Sequence, residues 1–130
     1  MITLNDIEKL PFKIVFDRVS YGRHIWEIIF ETKDFYFSFE YVTNQKITIE
    51  CNKIIKPSKR DVLFYLLFVA SSAELKFTDF CSAKNFRDDS RIALNNYKEC
   101  LEVNLALKKF FSKQQLIEIK QLFENNAGLF

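Results

Sequence analysis

Glycine and proline are scarce, two of each in 130 residues. Two glycines cannot build a phosphate-cradling P-loop or a dinucleotide fingerprint, each of which needs several at fixed spacing. No internal repeat, low-complexity segment or linker divides the chain. There is one histidine, His24, and there are three cysteines, Cys51, Cys81 and Cys100. No His or Cys pair has the spacing of a structural zinc site, and no C-x-x-C occurs. An odd thiol count without pairing spacing reads as reduced and intracellular. No apolar run approaches the roughly 18–20 residues needed to span a bilayer. The start, with Asp6 and Glu8 and no long apolar core, is not that of a signal peptide. The expectation is a cytoplasmic protein that meets no membrane. Charge of one sign is also lacking: the formal net charge is +2, whereas duplex-binding domains are usually more basic, with the charge clustered.

Apolar material is plentiful. The chain is 48% hydrophobic and 28% charged, with fifteen Phe and five Tyr. That composition is globular, and the aromatic rings supply large core-forming surfaces. The length suits one domain, residues 1–130, sheet-rich over 1–55 and helical over 56–130.

Leu4, Ile7 and Leu10 recur on one face of a short helix over residues 3–10, capped by Thr3 or Asn5 and stopped by Pro11. Residues 12–19 alternate, with Phe12, Ile14 and Phe16 inward and Lys13, Val15 and Asp17 outward. A turn at residues 20–23 uses Gly22 for its positive φ. Residues 24–32 put Trp26, Ile28 and Phe30 on one face and Glu27 and Glu31 on the other. After Lys33-Asp34, residues 35–42 set Phe35, Phe37, Phe39 and Tyr41 against Tyr36, Ser38 and Glu40. Residues 46–51 give a fourth strand with Ile47, Ile49 and Cys51 inward. Short turns between four such strands predict an antiparallel meander with one wet face.

The composition changes at Lys56-Pro57. Ser58 is placed to cap a helix from Lys59 to about Ala70, with Asp61 in its first turn. Apolar residues surround this helix on every side, which predicts burial all round, with exposure of one side to a partner as the alternative. Thr78 is placed to cap a short helix that Asn85 ends in the left-handed conformation. Asp88 or Asp89, with Ser90, is placed to cap the next helix, which runs to about Phe111 with Ala93, Tyr97, Cys100, Leu101, Leu107 and Phe111 on its apolar stripe. Ser112-x-x-Gln115 is a capping box for the last helix, which turns Leu116, Ile119 and Phe123 inward. The expected fold is α+β: a four-stranded antiparallel meander followed by a helical half of three to four helices.

Catalytic templates find little here, and the reading is a protein with no catalytic residues, metal or cofactor. A Cys–His nucleophile needs His24 beside a thiol, which nothing in the spacing provides. Asp88-Asp89 reads as helix capping before metal binding, and Glu99 and Glu102 as a solvated face. The candidates for an anionic partner are two basic groups and one isolated cation. Lys53, Lys56, Lys59 and Arg60 surround Pro57. Lys108 and Lys109, with Lys113, surround the last helix junction. Lys59 and Arg60 are the sharper candidates, because cations in a first turn oppose the helix dipole. Arg91, also in a first turn, needs a partner such as Asp88 or an anion. Tyr21, Tyr36 and Tyr41 offer rings for stacking, beside the repelling carboxylates Glu27 and Glu40.

Two segments carry a resemblance. The first is Lys56-Pro57-Ser58-Lys59-Arg60-Asp61-Val62-Leu63-Phe64-Tyr65-Leu66-Leu67, then Ala70-Ser71-Ser72. The second is Phe80-Cys81, then Asp89-Ser90-Arg91-x-Ala93, Tyr97 and Cys100. Across residues 56–111 the chain resembles a family of small proteins encoded in bacteriophage and prophage genomes, in which the second segment reads roughly F-C-x-x-F-G-Y-D-x-D-S-R-K-A. Lys84, Asn85 and Arg87 stand where that family has Phe, Gly and Asp, and Val69 replaces a usual Asp. The resemblance implies a phage accessory protein. Such proteins, where catalytic residues are lacking, are often inhibitors of host defence. The implied partner is a host nuclease or ribonucleoprotein, such as a CRISPR complex, bound through protein, guide RNA or both. The alternative is a nucleic-acid-binding accessory of phage replication or packaging.

Overall fold

A computed structural model describes residues 2–43 and 55–126. The order is α1 (Leu4–Glu8), β1 (Lys13–Ser20), β2 (Arg23–Thr32), β3 (Phe35–Thr43), α2 (Lys59–Ser71), a 3-10 turn (Ser72–Glu74), α3 (Phe77–Lys84), α4 (Arg91–Phe110) and α5 (Lys113–Asn125). The fold is α+β, with a three-stranded antiparallel sheet in the order β1-β2-β3. The expected fourth strand, residues 46–51, and Lys53 lie outside the described residues.

Each strand is cut by local chemistry. Ser20 pairs with Arg23 across a two-residue turn in which both Tyr21 (φ 51°) and Gly22 (φ 74°) are left-handed. That is the turn whose twist matches a hairpin. The sequence marked only Gly22 for positive φ. The register of β1 against β2 shifts between Phe16 and Arg18. The bulge at Asp17 therefore returns Val19 to the face of Phe16, breaking the simple alternation. Phe16, expected inward, is exposed and packs edge-on against Trp26, with ring centroids 5.2 Å apart.

The inner sheet face carries Phe12, Ile14, Trp26, Ile28, Phe30 and Phe39 into one core with Val62, Leu63 and Leu66 of α2, Val103 and Leu107 of α4, and Ile119 and Phe123 of α5. Phe30 is its aromatic hub, 5.1 Å from Phe12 and 4.9 Å from Phe110. A smaller cluster of Phe80, Cys81, Ala93 and Cys100 joins α3 to α4. Tyr97 seals it by donating its hydroxyl to the Leu75 carbonyl at 2.6 Å.

The helix ends follow capping chemistry, with two corrections. Thr3 and Ser112 form capping boxes with Asp6 and Gln115, and Ser58 caps α2. Asn85 ends α3 left-handed at φ 58°. But α3 begins two residues earlier than expected: Lys76 is its N-cap without a side-chain bond, and Thr78 lies inside the helix. Of the three residues expected at the start of α4, Ser90 and neither Asp88 nor Asp89 is the cap, accepting from the Ala93 N–H. The two aspartates occupy the exposed turn before it, and Asp89 is 3.4 Å from Arg87.

Candidate aromatic binding site

The expectation of all-round burial for α2 does not hold. Val62, Leu63, Leu66 and Ala70 are buried, but Phe64, Tyr65 and Phe68 are exposed, Phe68 by 57%. At about 100° per residue the aliphatic side chains share one face and the aromatics the other. That segregation was the signal available in the sequence. The aliphatic face enters the core shared by the sheet, α4 and α5; on the aromatic face Phe64 packs on Phe123 of α5 at 5.6 Å, and Tyr65 and Phe68 rim a pocket.

The pocket, about 240 Å³, lies among β3, α2, α3 and α4. Phe39, Tyr65, Phe68, Phe80 and Phe86 supply its rings, and Lys84, Asn96, Glu99 and Cys100 its polar groups. Asn85 positions two of these: its left-handed turn reverses the chain, so that Lys84 and Phe86 both reach the pocket while Phe86 donates its N–H to the Cys81 carbonyl at 2.8 Å. Lys84 Nζ sits 5.1 Å above the Phe68 ring, a cation–π contact. Burial pushes the Tyr65 hydroxyl above its ordinary pKa, and the Glu99 carboxylate adds to the effect. Burial likewise pushes the Cys100 thiol up, again reinforced by Glu99 and opposed by Lys84. A protonated, mostly hidden thiol is a poor nucleophile. An apolar pocket with a few convergent polar groups is the usual form of a binding site.

Of the residues singled out as anion contacts, Lys56 and Lys59 lie near each other at the start of α2, whereas Arg91 and Lys108 stand near opposite ends of α4. Lys59 is used within the fold: its Nζ donates to the Leu10 carbonyl and lies 5.3 Å from the Phe12 ring centroid. Its pKa is lowered by burial, against the raising effect of Glu8, while Lys56 lowers it further. Glu8 also accepts from the Lys59 and Arg60 backbone N–H groups, at 3.3 and 3.2 Å. The carboxylate thus supplies the negative charge that the start of α2 favours, which answers the unfavourable cations there. Lys56 is exposed before α2. Arg91 and Lys108 are both exposed on α4, separated by about 25 Å of helix at about 1.5 Å per residue. Lys109 lies 5.7 Å over the Phe35 ring.

The expected Arg91–Asp88 pair is not among the ion pairs of the described residues. The tyrosines do not form one platform either. Tyr36 is on the outer sheet face, donating to Glu27, and Tyr21 is in the turn. Tyr41 faces α2 and packs on Tyr65 at 5.4 Å. His24 stands at the edge of the Phe16 ring, whereas Cys81 and Cys100 belong to the α3–α4 cluster. Among the described residues, no three His, Cys, Asp or Glu side chains converge to hold a metal ion, and no helix is long and apolar enough to cross a membrane.

In comparisons with known proteins the chain matches no family model, no curated protein and no solved structure.

Proposed function

We propose that this is a phage accessory protein that works by binding, and that its aromatic pocket and the adjoining face of α2 engage a host defence nuclease complex. The observation that carries the binding role is the pocket itself: five rings surround an opening rimmed by the largely exposed Phe68. Concentrated aromatic surface beside a pocket is what anchors protein interfaces, where a few desolvated side chains supply most of the affinity. The host-defence target rests on the resemblance of residues 56–111 to phage-encoded proteins. A general nucleic-acid role is the weaker reading, because Lys59 is committed to Leu10 and Phe12 within the fold.

The test is inhibition of target cleavage by a purified host CRISPR ribonucleoprotein, with wild-type protein and with Phe68→Glu. Wild type inhibits, and Phe68→Glu, at an exposed position, loses at least about tenfold in potency while remaining folded. A wild-type protein that neither binds nor inhibits host nuclease complexes refutes the role. Binding of bare RNA that weakens steeply with salt, and falls again in Lys56→Ala, supports the nucleic-acid reading in its place.

A further inference from the structure

The side of α4 turned away from the pocket carries a feature that the binding role above leaves unused. Leu94, Leu101 and Leu105 are exposed, Leu105 by 54%. Leu101 was expected inward, but Val103, Ala106 and Leu107 take the core positions. The leucine spacings, seven and then four residues, place all three within about 40° of arc at about 100° per residue. They continue as a heptad seam in which Arg91, Lys98 and Lys108 occupy the remaining a and d positions. Lys109 borders the same face, and Glu102 is its one carboxylate. Beside Leu105 the seam opens onto a shallow apolar groove lined by Phe35, Phe37 and Ala106.

We propose that this face of α4 docks an acidic amphipathic helix of a partner protein. The leucines supply a knobs-into-holes seam, and the cations select carboxylates opposite Arg91, Lys98 and Lys108. Charge argues against a second copy of this chain. Antiparallel pairing that sets Leu94 against Leu105 also sets Arg91 against Lys108 at both ends, and parallel pairing sets each lysine against itself. Such like-charge contacts are destabilising. A membrane surface is disfavoured because Lys98 lies between leucines, along the line that insertion would bury.

The proposal is independent of the pocket and is tested without it. The probe is a synthetic helical peptide of about 20 residues, with leucines placed against the leucine seam and glutamates against the three cations. Its counterpart has lysine at each glutamate. The full-length protein binds the acidic peptide at least about tenfold more tightly than the basic one. Lys98→Glu/Lys108→Glu inverts that preference. Leu101→Gln weakens binding at least about tenfold while lowering the melting temperature by only about a few degrees, since its side chain is 41% exposed. Equal binding of the two peptides, or no inversion in the charge-reversed protein, overturns the proposal. So does binding to vesicles of phosphatidylcholine and phosphatidylserine with no binding of the acidic peptide, or self-association in sedimentation that Leu101→Gln abolishes.

Discussion

Replacing Phe80 and Phe68 by alanine, one at a time, measures how α2 and α3 divide their aromatics between core and surface. The substitution is chemically the same, so the difference reports environment. Phe80 is 1% exposed and stacks on Tyr97 with centroids 5.1 Å apart. Removing a buried Phe costs about 3–5 kcal/mol, combining lost transfer energy with an incompletely collapsed cavity. Phe68 is 57% exposed. A side chain of about 200 Å² therefore removes only about 90 Å² from water, about 2 kcal/mol at ~25 cal/mol per Å². Alanine retains part of that burial, so the expected loss is about 1–1.5 kcal/mol, including the Lys84 contact. Urea unfolding followed by circular dichroism separates the two: the midpoint falls at least about twice as far for Phe80→Ala, with the same m value. Equal losses of about 3 kcal/mol or more would mean that α2 is buried all round. The pocket and the binding role resting on it would then fall together.

Two further expectations concern caps and buried protons. Ser90→Ala destabilises by about 1 kcal/mol, because α4 loses the acceptor for the Ala93 N–H, whereas Asp88→Ala changes stability by less than about 0.5 kcal/mol. The opposite order in thermal unfolding would restore the aspartate as the cap. At alkaline pH, stability declines. Burial, reinforced by Glu99, raises the folded-state pKa of Cys100 above its ordinary 9.0 and that of Tyr65 above 10.0. The folded chain therefore holds these protons longer than the unfolded one. The contribution is fully present below pH 9 and is lost as pH rises through the raised values. Urea midpoints from pH 7 to 10.5 follow this. Cys100→Ala removes the Cys100 part of the slope and leaves that of Cys81, whose thiol is also pushed up by burial; an unchanged slope in that variant contradicts the assignment.

The helix ends were the most legible part of the chain, because capping is local. Ser58, Ser112 and Asn85 act within a few residues of themselves, so residue type and spacing sufficed. Where neighbouring residues offered competing caps, the sequence left Asp88, Asp89 and Ser90 open, and the backbone used Ser90. Strand faces were legible until the Asp17 bulge, which depends on pairing with β2 and has no signature within β1 alone. The setting of Lys59 and Arg60 was not legible because Glu8, about fifty positions earlier in the chain, supplies the negative charge that the start of α2 favours; α1 meets α2 only in the folded state.

The sequence by itself determined an α+β chain with little catalytic inventory, since composition, periodicity and capping require no knowledge of neighbours. Only the tertiary structure decided which apolar surface stays outside. Between Val62 and Ala70, α2 has no charged residue to mark its solvent face. The packing of Leu63 and Leu66 into the sheet-side core leaves Tyr65 and Phe68 on the rim of the pocket. In the same way, the burial of Val103 and Leu107 turns Leu94, Leu101 and Leu105 of α4 to solvent. A helix of fixed pitch cannot bury both sides against one core, so the choice of buried side also fixes the surface left for partners.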